Sequence, residues 1–142
     1  MRFMIIRKAD AETEAGVMPG TALIEQMTEY NEKLNKAGVL VGGDGLHPSA
    51  RGARVKFNAG KPTVLDGPFA EAKELIAGYT LIDVASREEA IEWLRQWPPL
   101  DGHGNVELEL RQIFTAEDFG DAFTPELQER HANMREDEKA RS

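Results

Sequence analysis

The chain has 142 residues, enough for one domain around one core, and 41% of them are hydrophobic. A formal net charge of -8 argues against nucleic acid or an anionic membrane as the default partner, since both call for a positive face. The absence of cysteine excludes disulfides, thiol nucleophiles, thiolate zinc sites and Fe–S clusters, and agrees with a reducing cytoplasm.

The apolar run Phe3–Ile6 reads as a buried strand. It is too short for a signal peptide, and no stretch approaches the roughly 20 apolar residues that span a bilayer, so a soluble cytoplasmic protein is expected. The acidic segment Ala9–Pro19 reads as a loop. Leu23, Met27, Tyr30 and Leu34 then share one helical face, and Gly38 stops a helix begun near Thr21. Val39-Leu40-Val41 reads as a short buried strand, and Gly42-Gly43-Asp44-Gly45 is expected to break regular structure.

Ala53, Val55 and Phe57 alternate with Arg54 and Lys56, as in a half-exposed strand. Asn58–Lys61 is the hairpin turn and Pro62–Asp66 the return arm. Ala77–Val84 is a further strand. Ser86 and Glu89 have the spacing of a capping box, opening a helix that ends before Pro98-Pro99. Asp101–Gly104 reads as a loop with His103 mobile in it, and Val106, Leu108 and Leu110 alternate with Glu107, Glu109 and Arg111 in the last strand.

This order is α+β: a ferredoxin-like split βαβ with an inserted β-hairpin. Both helices belong on one sheet face. The first strand is apolar on both sides, so the other face needs a cover, and a second copy of the chain is the economical one. A homodimer with sheet facing sheet is therefore expected. The domain spans residues 1–114. Residues 115–142 form a charged, partly helical extension in which Thr124-Pro125 reads as N-cap and N1, with fraying after Met134. It reads as a packing arm or as a tail that binds another protein.

Two stretches offer chemistry. In "VLDGPFAEAKELIAGY", Asp66 ends a strand, Gly67-Pro68 makes the turn and Phe69 plugs the core. Asp66 is expected to accept backbone N–H groups two or three residues on, with Glu71 and Glu74 at the start of a helical turn. The same residues read as a general base, Asp66 or Glu74, beside the charge partner Lys73. In "GDGLHP", His47 follows a core strand and reads either as an exposed turn residue or as an acid–base group near Asp44. Arg54 and Arg111 read as anchors for an anionic ligand or as interface ion pairs, with Tyr79 a further ligand-binding candidate. Three scattered histidines give no metal set, and there is no dinucleotide fingerprint, Walker loop or nucleophile elbow, so no metal or organic cofactor is expected.

"DGPFAEAKELIAGY" resembles the signature of the DGPF family within the YCII-related (YciI-like) superfamily. "GDGLHPSARGARVKF", "SREEAIEWLRQWP" and "VELELR" agree with it over about residues 1–114. The resemblance implies a dimeric α+β barrel with a small-molecule cavity in each subunit. Related barrels include lactone isomerases and dehydrochlorinases, and YCII-like proteins are linked to acid–base chemistry with a His/Asp pair. The matching positions are Asp66, Gly67, Pro68, Phe69, Glu71, Lys73, Glu74 and Gly78. Members often end the last strand Glu-x-Arg-Pro, whereas Gln112 follows Arg111 here. The expected function is a cofactor-independent lyase or isomerase acting on a small polar metabolite. Asp66, His47, Glu74 and Lys73 would be catalytic, and Arg54, Tyr79 and Arg111 would bind substrate. The alternative is a non-catalytic dimeric ligand-binding or regulatory module, tied by the resemblance to sigma-factor and stress settings.

Overall fold

A computed structural model describes residues 1–142. The chain divides into two compact units, Met1–Gln112 and Ile113–Ser142. In the first, β1 (Arg2–Lys8) leads through a short helix α1 (Ala11–Glu14) to α2 (Thr21–Lys36) and β2 (Leu40–Gly45). A hairpin follows, β3 (Ala53–Asn58) and β4 (Lys61–Asp66). Then come β5 (Ile76–Asp83), α3 (Arg87–Arg95) and β6 (Leu108–Gln112). The main sheet is antiparallel in the order β2-β5-β1-β6, the ferredoxin-like plan, and β3–β4 forms a separate two-stranded ribbon.

Side-chain alternation in β1 explains the layering. Phe3, Ile5 and Arg7 are buried, while Met4, Ile6 and Lys8 are half-buried on the opposite side. Phe3 and Ile5 meet Tyr30 and Leu34 of α2, Ala90 of α3 and Ile82 of β5 in one core. Complete burial of Ile5, Leu34 or Ile82 each stabilises the fold by about 1.5–3 kcal/mol. The Tyr30 hydroxyl donates to the Trp93 carbonyl at 2.7 Å and its ring meets Trp97 edge-on at 5.2 Å; burial pushes its pKa up to about 12.

Several local expectations are corrected. The Ala9–Pro19 segment contains α1, because Asp10 and Thr13 cap it reciprocally, side chain to backbone N–H in both directions. Strand β2 starts at Leu40, is exposed at Val41, and continues through Gly45 instead of breaking at Gly42, as an edge strand of the sheet. Gly43 allows this, since a Cβ there would lie 2.7 Å from the Tyr79 carbonyl oxygen of the neighbouring strand. Ser86 caps α3, but Glu89 reaches back to the N–H of Ala85. The hairpin is exposed on both faces, β6 begins at Leu108, and Asp101–Gly104 is a 3₁₀ turn with Asp101 buried.

In the second unit a 3₁₀ turn, Ala116–Ala122, precedes α4 (Pro125–Arg141). Thr124 caps α4 by accepting from the Leu127 N–H, and the helix continues past Met134 without a break. No helix is long and apolar enough to cross a membrane.

Candidate functional site

Helices α2 and α3 meet the Phe3/Ile5 side of the sheet, so the other side presents Met4, Ile6, Tyr79 and Leu81. Strand register sets two rows across this face. One runs Asp44, Tyr79, Ile6, Glu109 over all four strands; the next runs Leu81, Met4, Arg111. An apolar floor thus lies between polar pairs at its two edges. At one edge the Tyr79 hydroxyl donates to Asp44 Oδ2 at 3.0 Å; this hydrogen bond, then the carboxylate's charge, raises the Tyr79 pKa. At the other edge Arg111 donates to Glu109 at 3.3 Å.

The Asp-Gly-Pro-Phe turn is seated on the loop that carries His47. Leu46 N–H bonds the Ala77 carbonyl, continuing the β2–β5 ladder into that loop. Gly67 donates its N–H to the Gly52 carbonyl, and a Cβ on Gly67 would fall 1.7 Å from the Ser49 carbonyl oxygen, so the fit requires glycine. Phe69 N–H donates to Ser49 Oγ at 3.0 Å. Ser49 in turn donates its hydroxyl and its N–H to the two oxygens of Glu14, at 2.5 and 3.0 Å. One serine therefore joins the turn, the His47 loop and α1. Nothing in the sequence pattern singled out Ser49 or Glu14, because their partners lie 20 and 35 residues away.

The candidate side chains themselves stay apart. His47 contacts Arg51 at 3.1 Å and is exposed. Asp66, Lys73 and Glu74 are exposed and form no salt bridge or side-chain hydrogen bond with one another. Asp66 does not cap its own turn as expected, since the N–H of Phe69 is taken by Ser49. Phe69 is half-buried outside the core and lies under the Arg54 guanidinium, 4.0 Å from its ring centroid, a cation–π contact. The expected helical turns reduce to one 3₁₀ turn, Ala72–Glu74, entered from Glu71 at φ 62°. Arg111 lies on β6, two strands from Tyr79 across the face and at the opposite edge of the sheet from β2, whose following loop carries His47.

A second cluster escaped the sequence reading altogether. Arg7 and Asp101, at 8% and 9% exposure, form a two-point ion pair at 2.7 and 3.1 Å. Arg7 also bonds Asp10 at 3.0 Å, and the Trp97 indole N–H donates to Asp101 at 2.9 Å. Burial alone would raise the Asp101 pKa; hydrogen bonds from Arg7 and Trp97 and the guanidinium charge outweigh it and hold it low. Burial likewise opposes the charge of Arg7, whose pKa is nevertheless raised by Asp101 and then by Asp10. Every buried side-chain N or O atom in the protein has a hydrogen-bond partner. The arrangement is that of a structural clasp, and no group in it is left free for a ligand.

The model of the YCII-related domain matches residues 1–112. The chain belongs to the YCII-related family. An uncharacterized protein of Rhizobium meliloti (strain 1021) is 37% identical to it over 73 residues, a segment that covers 51% of this chain and 59% of that protein's length. Among solved structures, 5-chloro-2-hydroxyhydroquinone dehydrochlorinase from Burkholderia phenoliruptrix AC1100, in complex with 2,5-dihydroxybenzoquinone, aligns with this YCII-related chain at 13% identity and TM-score 0.42, over 80% of this chain and 94% of that one. That activity and that ligand are properties of that protein.

Proposed function

We propose that this YCII-related chain is a cofactor-independent acid–base enzyme of the lyase or isomerase type, acting on a small polar metabolite in the cytoplasm. It works as a homodimer whose second copy covers the Met4/Ile6/Leu81 face and excludes water from it. The supporting observation is the seating of the Asp66–Phe69 turn on the His47 loop through Ser49, which brings the two acid–base segments to one end of the sheet. In the proposed reaction Asp66 accepts a proton from an acidic C–H of the substrate. His47 returns a proton at a second carbon or to the departing group. Lys73 and Glu74 set the local charge. Arg54, over Phe69 of the turn, holds an anionic group, and the Tyr79 hydroxyl, its proton directed to Asp44, accepts a hydrogen bond over the apolar floor.

The experiment is solvent deuterium exchange. The protein is incubated in D₂O with a panel of small hydroxyaromatic and keto-acid compounds and followed by NMR. Deuterium incorporation or isomer formation that disappears in Asp66→Asn and falls in His47→Gln is expected. Turnover unchanged in Asp66→Asn removes that residue from the chemistry. Monomeric scattering at micromolar concentration removes the dimer.

A second reading, a non-catalytic dimeric module for a small ligand or a regulatory partner, is favoured by one observation: Asp66, His47, Lys73 and Glu74 do not bond one another. Ligand-induced shifts in the NMR spectrum without any exchange on the panel would select it.

A further inference from the structure

A two-stranded ribbon by itself is marginal in water and needs a cover for its apolar face. Strand register puts Val55 opposite Val64 and Phe57 opposite Pro62, all on one face of β3–β4. That face is open: Val55, Phe57 and Val64 are 53%, 67% and 63% exposed. The second unit has an apolar surface of its own. Phe114 and Phe119 stack at 5.1 Å, and Phe119 meets Phe123 at 5.9 Å, yet Phe114 and Phe119 remain 74% and 53% exposed. Exposed aromatic groups clustered in this way mark a contact surface.

The charges of the two segments are complementary. Residues 51–65 include Arg51, Arg54, Lys56 and Lys61 and no acidic residue. Residues 113–129 include Glu117, Asp118, Asp121, Glu126 and Glu129 and no basic residue. Arg54 and Lys56 lie on the side of the ribbon away from Phe57. Their charge lies on the side away from the docking face, so it acts on the approach of the arm rather than on the docked contact.

We infer that residues 113–129 of one copy dock on the Val55/Phe57/Val64 face of the ribbon of a second copy. Each chain brings one acidic aromatic arm and one basic apolar ribbon. A two-fold pair therefore makes the contact twice, with residue i on j and j on i. This contact is additional to the sheet-to-sheet pairing proposed above and does not depend on any reaction. Opposite charge steers the arm, and the aromatic rings supply the buried area.

The absence of cysteine makes the test direct, because substituted thiols report without background. Full-length Phe57→Cys and full-length Phe119→Cys, mixed under mild oxidation, are expected to give a disulfide-linked heterodimer in excess of any homodimer of either variant. Val64→Cys reports the same face should Phe57→Cys disturb the ribbon. Lys56→Glu with Lys61→Glu on the ribbon variant is expected to lower the heterodimer yield. Glu117→Lys with Asp118→Lys on the arm variant is expected to restore it. No excess heterodimer with either ribbon thiol overturns the inference. A chain carrying both thiols that closes on itself at high dilution also overturns it. The cross-link is read on gels, so its outcome is separate from that of the exchange assay.

Discussion

Two charged groups in this protein stand in contrast. Asp66, Glu71, Lys73 and Glu74 crowd into one short stretch, exposed and without ion pairs. Arg7 and Asp101 are 94 residues apart, buried, and bonded at two points. Density of charge along the sequence marks a solvated segment, where each group keeps its water. A charge taken out of water needs a partner with good geometry, and the fold can draw that partner from anywhere in the chain. The crowded group therefore keeps its hydration, and the separated pair is committed to holding β1 against the turn before β6.

The comparison is most sharply tested at the buried pair. Asp101→Asn or Arg7→Met leaves one buried charge without its main partner and is expected to destabilise the protein by about 3 kcal/mol, read by urea unfolding. A loss under about 1 kcal/mol would show that the pair behaves as a surface bridge. Next in size is Gly67→Ala, which forces a methyl group into the Ser49 carbonyl and is expected to cost about 1–3 kcal/mol. Against these, Lys73→Ala and Glu74→Gln are expected to change stability by less than about 0.5 kcal/mol.

The pH dependence separates the same two groups. Asp101 and Asp10 both have folded pKa values below their ordinary ones. Their stabilisation is therefore fully present above the unfolded carboxylate value of about 3.9 and is lost as pH falls through the folded values. Arg7 has a raised pKa, so its contribution is present below its unfolded value and fades only at extreme alkaline pH. Wild-type protein should lose stability between pH 4 and lower pH more steeply than Asp101→Asn, an order-of-magnitude window set by that reference of about 3.9. Parallel acid curves would break the assignment. The smallest effect expected is spectroscopic. Asp44→Asn should bring the Tyr79 titration down towards about 10, leaving Tyr30 as the high-titrating tyrosine, by ultraviolet difference titration.

The elements that read well in the sequence are those whose signals are local. Leu23, Met27, Tyr30 and Leu34 repeat at helical spacing, and α2 follows them. Ser86 and Thr124 are caps whose partners lie three residues away. Phe3, Ile5 and Ile82 alternate in their strands, which is enough to place the core layer. The misses are non-local in origin. Gly42–Gly45 has the composition of a break, yet β5 lies close enough to require glycine at position 43. Asp101-Gly102-His103-Gly104 has the composition of a mobile loop, yet Asp101 is drawn inside by Arg7 and Trp97. His103 is exposed in that turn, bonded to Glu12 at 2.9 Å.

For the candidate site the division is the same. The stretch Asp66–Tyr79 announces a turn and a resemblance, because glycine, proline and charge leave a readable order. The role of Ser49 and Glu14 in holding that turn, and the Tyr79–Asp44 pair on the open face, depend on hydrogen bonds across 20 to 35 residues. By itself the sequence determined the order of the six strands and of α2, α3 and α4, the position of the turn and the family resemblance, since propensity, capping and periodicity act within a few residues. Only the tertiary structure decided which charges are buried, which loop receives the turn and which side chains share a face. Those are settled by burial and register between segments that the chain keeps far apart.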